Sequence, residues 1–146
     1  MTGTLNFRGF ILNIEFPEGE GDVEKMPSTP GVYDEIHRPT NYVRIGQAAN
    51  MGSRNKSHIA WAEKHKLGTH TKPSEMTRAK NGNSEITEAA KRWGSEGLEY
   101  YVVCNDPRLS DQNQRKDVEN FMHEWCRVQN RFYNMNREAA QNRLKV

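Results

Sequence analysis

Tyr33, Tyr42, Arg44, Arg54 and His58 fall within one short stretch of the chain, and their side chains suit a phosphodiester. An arginine fork matches phosphate oxygens, and a phenol or an imidazole can handle a proton. Their use depends on what brings them together. Gly31 to Ile36 follows Pro30, which cannot continue a helix, and reads as a strand. Tyr42 to Gln47 has the β-branched and aromatic content of a second strand. His37-Arg38-Pro39-Thr40-Asn41 between them carries turn residues, which predicts a hairpin with a loop longer than two residues. Alternation along the second strand puts Tyr42, Arg44 and Gly46 on one face: a ring hydroxyl, a fixed positive charge and a bare backbone. Asn50 can cap a helix of about three turns, on which Arg54 and His58 are four residues apart and share a face.

A chain of 146 residues is most simply a single domain, 1–146, with one modest core, since hydrophobic residues make up 34% and charged residues 27%. No apolar run approaches membrane-spanning length and the N-terminus lacks a signal-peptide pattern, so the expectation is a soluble, intracellular protein without a membrane partner. The formal charge of +2 does not by itself argue for nucleic acid, but its distribution does. Basic residues dominate between Arg38 and Arg92, while acids concentrate in Glu15 to Glu24 and around Asp106 to Glu124. A central basic patch fits a phosphate-binding face. Cys104 and Cys126 have no metal-ligand spacing and read as free, buried thiols. Phosphate-binding glycine loops, zinc clusters and nucleophile elbows are absent from the sequence.

The elements that must position the chemistry follow in order. Leu5 to Phe16 alternates, with Phe10, Leu12, Ile14 and Phe16 on one face, and predicts an N-terminal strand that extends the sheet at an edge or covers one face. Glu18 to Pro30 reads as a loop. From Lys66 to Ser84 large apolar residues are few, which predicts a long loop whose Lys72, Arg78 and Lys80, with Lys56 nearby, suit a duplex backbone. Ser84 opens a helix that stops at Gly94. Leu98 to Cys104 is the strongest strand in the chain and ends at Asn105-Asp106-Pro107. Ser110 or Asp111 opens a long helix to about Asn130, with Val118, Phe121, Met122, Trp125 and Val128 as its stripe. Glu119 lies to one side of that stripe, with His123 and Cys126. The fold class is therefore α+β, and residues 135–146 form a polar, basic tail.

Gly31-Val32-Tyr33, then Arg44-Ile45-Gly46 and an arginine eight residues beyond that glycine, resemble the GIY-YIG nuclease superfamily, whose members are metal-dependent enzymes that cut DNA. The resemblance covers residues 29–134 and implies a small, central, mostly antiparallel three-stranded sheet flanked by helices, with the 5–16 strand as an addition. By that resemblance Tyr33 takes the place of the first motif's tyrosine, Arg54 that of the catalytic helix arginine, and His58 that of the His or Tyr one turn later. Glu119, in Asp117-Val118-Glu119-Asn120, looks like the metal-binding glutamate, with Glu124 as the alternative, and Asn134 looks like the closing asparagine. One position departs from the pattern: Arg44 stands where the second motif has a tyrosine, and Tyr42 lies two residues earlier on the same strand face.

The resemblance implies a free-standing homing, phage-type or restriction-like endonuclease acting on double-stranded DNA with Mg²⁺ or Mn²⁺, in a bacterial or phage-infected cytoplasm. Glu119 would hold the ion, Arg54 would neutralise charge growing on the phosphate, and Tyr33, beside His58, would take the proton from water. Asn134 would orient Tyr33 or a backbone group, and Arg44 or Tyr42 would complete the cradle. The chain leaves no room for a separate recognition domain, so specificity would come from the 66–84 loop, the tail, a homodimer or a partner protein. Two other classes stay open: a nucleic-acid-binding module without catalysis, and a protein-interaction or inhibitor role.

Overall fold

The structure, a computed structural model, describes residues 3–14, 26–39, 42–68, 90–129 and 133–134. The chain begins with a hairpin of β1 (Thr4–Phe7) and β2 (Phe10–Asn13), paired antiparallel with Leu5 opposite Leu12 and Phe7 opposite Phe10. The expected single strand from Leu5 is thus broken at Arg8-Gly9. Both residues hold positive φ, 51° and 85°, the geometry a two-residue hairpin loop needs to match strand twist. The Gly9 amide donates to Asn6 Oδ1 at 3.0 Å, and Arg108 Nη2 donates to the Gly9 carbonyl at 3.0 Å. Arg108 also places its guanidinium 4.1 Å from the Phe10 ring centre, locking the turn to the body of the protein.

The main sheet contains β3 (Gly31–His37), β4 (Tyr42–Ala48), β5 (Leu98–Cys104) and β6 (Tyr133–Asn134) in the order β5-β3-β4-β6. β3 pairs antiparallel with both β4 and β5, which is the expected three-stranded antiparallel core of an α+β fold. β3 is buried along its whole length because it has a strand on each side and a helix over each face. β6 adds a short parallel strand, with Asn134 opposite Val43, where a closing asparagine alone was expected.

Each face of this sheet has a different character. Val32, Ile36, Val43, Ile45 and Val103 pack with Val118 and Met122 of α2 (Gln112–Gln129) and with Phe10 and Leu12 of the hairpin. The N-terminal segment therefore covers a face; it does not extend the edge. Burial of this kind supplies most of the folding drive, and truncating a filled position such as Met122 to alanine costs about 2–5 kcal/mol. Asp111 Oδ1 caps α2 by accepting from the amides of Asn113 at 2.8 Å and Gln114 at 3.2 Å. Arg115, also buried, ties α2 to β4 through Gln47 Oε1 at 2.8 Å and to the preceding 3-10 turn (Pro107–Ser110) through the Leu109 carbonyl at 2.9 Å.

The opposite face receives α1 (Met51–Leu67). Asn50 caps it as expected, accepting from the Ser53 amide at 2.9 Å. The helix runs to Leu67, well past the expected three turns, and takes in the first residues of the expected 66–84 loop. Its extra length is held by Trp61, Ala62 and His65, which stay buried, and it ends where Gly68 adopts a left-handed φ of 71°. Residues 90–93 are helical and stop at Gly94, whose φ is 62°. The predicted start of that helix at Ser84, the basic residues Lys72, Arg78 and Lys80, and the 135–146 tail lie outside the described residues. Cys104 and Cys126 are buried and are not joined in a disulfide. No described helix is long and apolar enough to cross a membrane.

Candidate active site

Strand register assembles the site. Tyr33 stands opposite Gly46, and Glu35 stands between Arg44 on one neighbour and Tyr100 on the other. Paired residues share a face, so Tyr33, Glu35, Arg44, Gly46 and Tyr100 all face α1. From α1, His58 reaches this polar cluster: its Nδ1 lies 3.1 Å from Arg44 Nη1 and 3.3 Å from Glu35 Oε2. Arg44 Nη1 is 3.9 Å from the same carboxylate oxygen. All of these side chains are withdrawn from solvent, with Glu35 at 1% and His58 at 5% side-chain exposure.

Tyr33 is the most confined member. Its ring crosses the bare backbone of Gly46 so closely that a Cβ there would fall 2.5 Å from the phenol oxygen. Its ring centre lies 6.3 Å from that of His58 and 6.2 Å from that of Tyr100. No hydrogen bond joins His58 to Tyr33; His58 Nδ1 meets Arg44 and Glu35 instead.

Burial and charge then set the protonation states. Burial pushes the Tyr33 phenol up to about 12 against the pull of Arg44, so it stays protonated. Burial would also raise Glu35, but His58, Arg44 and Tyr100 outweigh it and hold the carboxyl at about 2, ionised. His58 is lowered from its ordinary value by burial and then by the Arg44 charge, against the opposing effect of Glu35, and is neutral at pH 7. A neutral imidazole offers one donor and one acceptor. A guanidinium only donates, so Arg44 Nη1, 3.1 Å from Nδ1, donates to that nitrogen. The lone pair therefore lies on Nδ1 and the proton on Nε2, and Glu35 Oε2, 3.3 Å from Nδ1, acts on the ring through its charge.

The sequence candidates divide accordingly. Tyr33, Arg44 and His58 are brought into one cluster. Arg54, half-buried one turn before His58, adds its positive charge at both Tyr33 and His58. Glu119 belongs to α2, over the other sheet face, and makes no hydrogen bond to Tyr33, Arg44 or His58; its charge is nonetheless felt at Tyr33 and Arg44. Its side chain is 23% exposed. Tyr42 and Asn134 are placed by their backbones in β4 and β6. Lys56 is exposed on α1. Among the described residues no three His, Cys, Asp or Glu side chains gather as a metal cluster. A magnesium-type ion needs only one or two carboxylates with water and phosphate oxygens, and the part-exposed Glu119 fits that demand.

Two members escaped the sequence reading. Glu35 could have been found from strand alternation, since Tyr33 and Glu35 are two residues apart on a strand. Tyr100 could not, because it joins only through the pairing of β5 with β3. Scans of the chain against protein-family models, curated proteins and solved structures return no match.

Proposed function

We propose that the chain is a metal-dependent DNA endonuclease of the GIY-YIG type, hydrolysing phosphodiester bonds. The observation that carries this reading is the convergence on one phenol of charge from three elements: Arg44 of β4, Arg54 of α1 and Glu119 of α2 all act at Tyr33. Paired cations beside a proton-bearing group and an acid suit a dianionic phosphoryl centre better than a packing role.

The roles follow from the protonation states. His58, neutral, is the better base: a substrate phosphate competes for Arg44 and frees the Nδ1 lone pair, and the Glu35 charge beside that nitrogen stabilises the imidazolium it becomes. Tyr33, held as a phenol, donates a hydrogen bond to the phosphate or to the attacking water; this replaces the base role expected for it. Arg54 stabilises the charge that grows on the phosphoryl oxygens. Arg44 keeps His58 neutral and adds positive potential at the centre. Asn134 and Tyr42 are assigned to the end of the sheet that closes the cradle. Glu119 would hold Mg²⁺ or Mn²⁺, which supplies polarisation of the scissile phosphate when bound. Lys56, with Lys72, Arg78 and Lys80, would contact the duplex backbone.

A second reading, a DNA-binding module without catalysis, is favoured by one observation. Arg44 already donates to His58 and lies 3.9 Å from Glu35, and Tyr33 is only 1% exposed, so the cluster is closed off from substrate. The experiment that separates the two is incubation with supercoiled plasmid and Mg²⁺ or Mn²⁺ beside a gel-shift titration in rising salt. Nicking or linearisation supports the enzyme; salt-sensitive binding with intact plasmid under every metal supports the module.

A further inference from the structure

His123 is an unexplained residue of α2. It is 3% exposed, and neither ring nitrogen has a hydrogen-bond partner among the described residues. A buried polar group without a partner costs about 1–3 kcal/mol, so a helix that could carry an apolar residue there carries a cost instead. The nearest charged group is Glu119, one turn earlier on the same side of the helix, with Oε1 at 3.7 Å from His123 Nε2. That separation is too long for a hydrogen bond.

It is the right length for a different bridge. Imidazole nitrogens and carboxylate oxygens bind first-row divalent ions at about 2.0–2.2 Å, so one ion can touch both atoms with a bent angle at the metal. The imidazole would form the buried wall of the site, and the part-exposed Glu119 its mouth, open to water or to a phosphate oxygen. Neighbouring groups on α2 are directed elsewhere: Asp117 Oδ2 to Arg8 at 3.2 Å, and Arg115 to Gln47.

We infer that Glu119 and His123 together form a divalent-cation site, with the imidazole of His123 as its second protein ligand and a preference for Mn²⁺ or Co²⁺ over Mg²⁺. The inference rests on the reading of Glu119 as the metal residue. An imidazole is a poor ligand for Mg²⁺, which keeps oxygen ligands and water, and a good one for later first-row ions.

The test uses the full chain without DNA. Mn²⁺ and Mg²⁺ are titrated calorimetrically into wild type, Glu119→Gln and His123→Gln, and Mn²⁺-loaded wild type is examined by pulsed EPR for coupling to an imidazole nitrogen. The expected result is nitrogen coupling in wild type, Mn²⁺ binding weakened by about tenfold or more in His123→Gln, and Mg²⁺ binding little changed. The EPR measurement stands even if His123→Gln fails to fold. Mn²⁺ bound without nitrogen coupling, or no Mn²⁺ bound at all, overturns the site. Nitrogen-coupled Mn²⁺ beside uncut plasmid would keep the site and remove the nuclease; cleavage with Mn²⁺ that shows no nitrogen coupling would do the reverse.

Discussion

The phenol of Tyr33 lies across the backbone of Gly46, its strand partner, in a space that a single methyl group would occupy. A Cβ on residue 46 would meet the phenol oxygen at 2.5 Å and ring carbons at 2.6 and 3.0 Å, and the ring, 1% exposed, has nowhere to yield. Gly46→Ala is therefore expected to destabilise the fold by about 1–3 kcal/mol and to abolish cleavage by displacing the phenol. Tyr33→Ala in the same chain removes the clash, so the two substitutions should be strongly non-additive in a denaturant double-mutant cycle. Additive effects would mean that the ring does not pack on Gly46.

Stability should fall at both ends of the pH scale, with opposite signs of shift. Glu35 is lowered from 4.5 to about 2, so its contribution is present above pH 4.5 and is lost as pH falls toward 2; its size is roughly 3 kcal/mol. Tyr33 is raised from 10.0 to about 12, so its contribution is present below pH 10 and is lost as pH rises toward 12. Tyr100, raised well above its ordinary value by burial and then by Glu35, acts in the same sense as Tyr33. Urea unfolding across pH should show the acid slope flattened by Glu35→Gln and the alkaline slope reduced by Tyr33→Phe. Unchanged slopes would place those ionisations elsewhere.

Arg54→Ala and Glu119→Ala act at part-exposed positions outside the apolar core, and each should leave far-UV circular dichroism and the unfolding midpoint near wild type. Plasmid nicking should drop by about 10²–10³ in either variant. Glu119→Ala should still bind duplex DNA in a gel shift, since it removes an acid and no cation. Full nicking by both variants would take these residues out of the mechanism.

The rate of cleavage should rise with pH through an apparent pKa below the ordinary 6.5 of histidine, because His58 must be neutral to act and its pKa is lowered by burial and by Arg44. Glu35 opposes that lowering, so Glu35→Gln should move the limb to still lower pH. Single-turnover rates from pH 4.5 to 8 decide it. A limb that stays in place in Glu35→Gln would show that Glu35 does not act through His58.

What could be read in the chain was local. The β3 and β5 strands, the hairpin of β3 and β4, the Asn50 cap and the Gly94 stop each depend on a few neighbouring residues, and each is found where expected. Tyr33, Arg44 and His58 were legible for the same reason: strand alternation and the helical repeat set their faces. The N-terminal turn was not, because Phe10, Leu12 and Ile14 continue an alternating pattern and hide the positive φ of Arg8 and Gly9.

Tertiary structure decided the rest. Glu35 becomes a member of the site only when Arg44 and Tyr100 flank it, and that requires pairing β3 with strands both near and far in sequence. Which acid holds its charge, which phenol keeps its proton and which nitrogen of His58 accepts a hydrogen bond all follow from burial and from distances across that sheet. Sequence periodicity determines where a side chain points; a pKa depends on what is packed against it, and the packing is made by residues far apart in the chain.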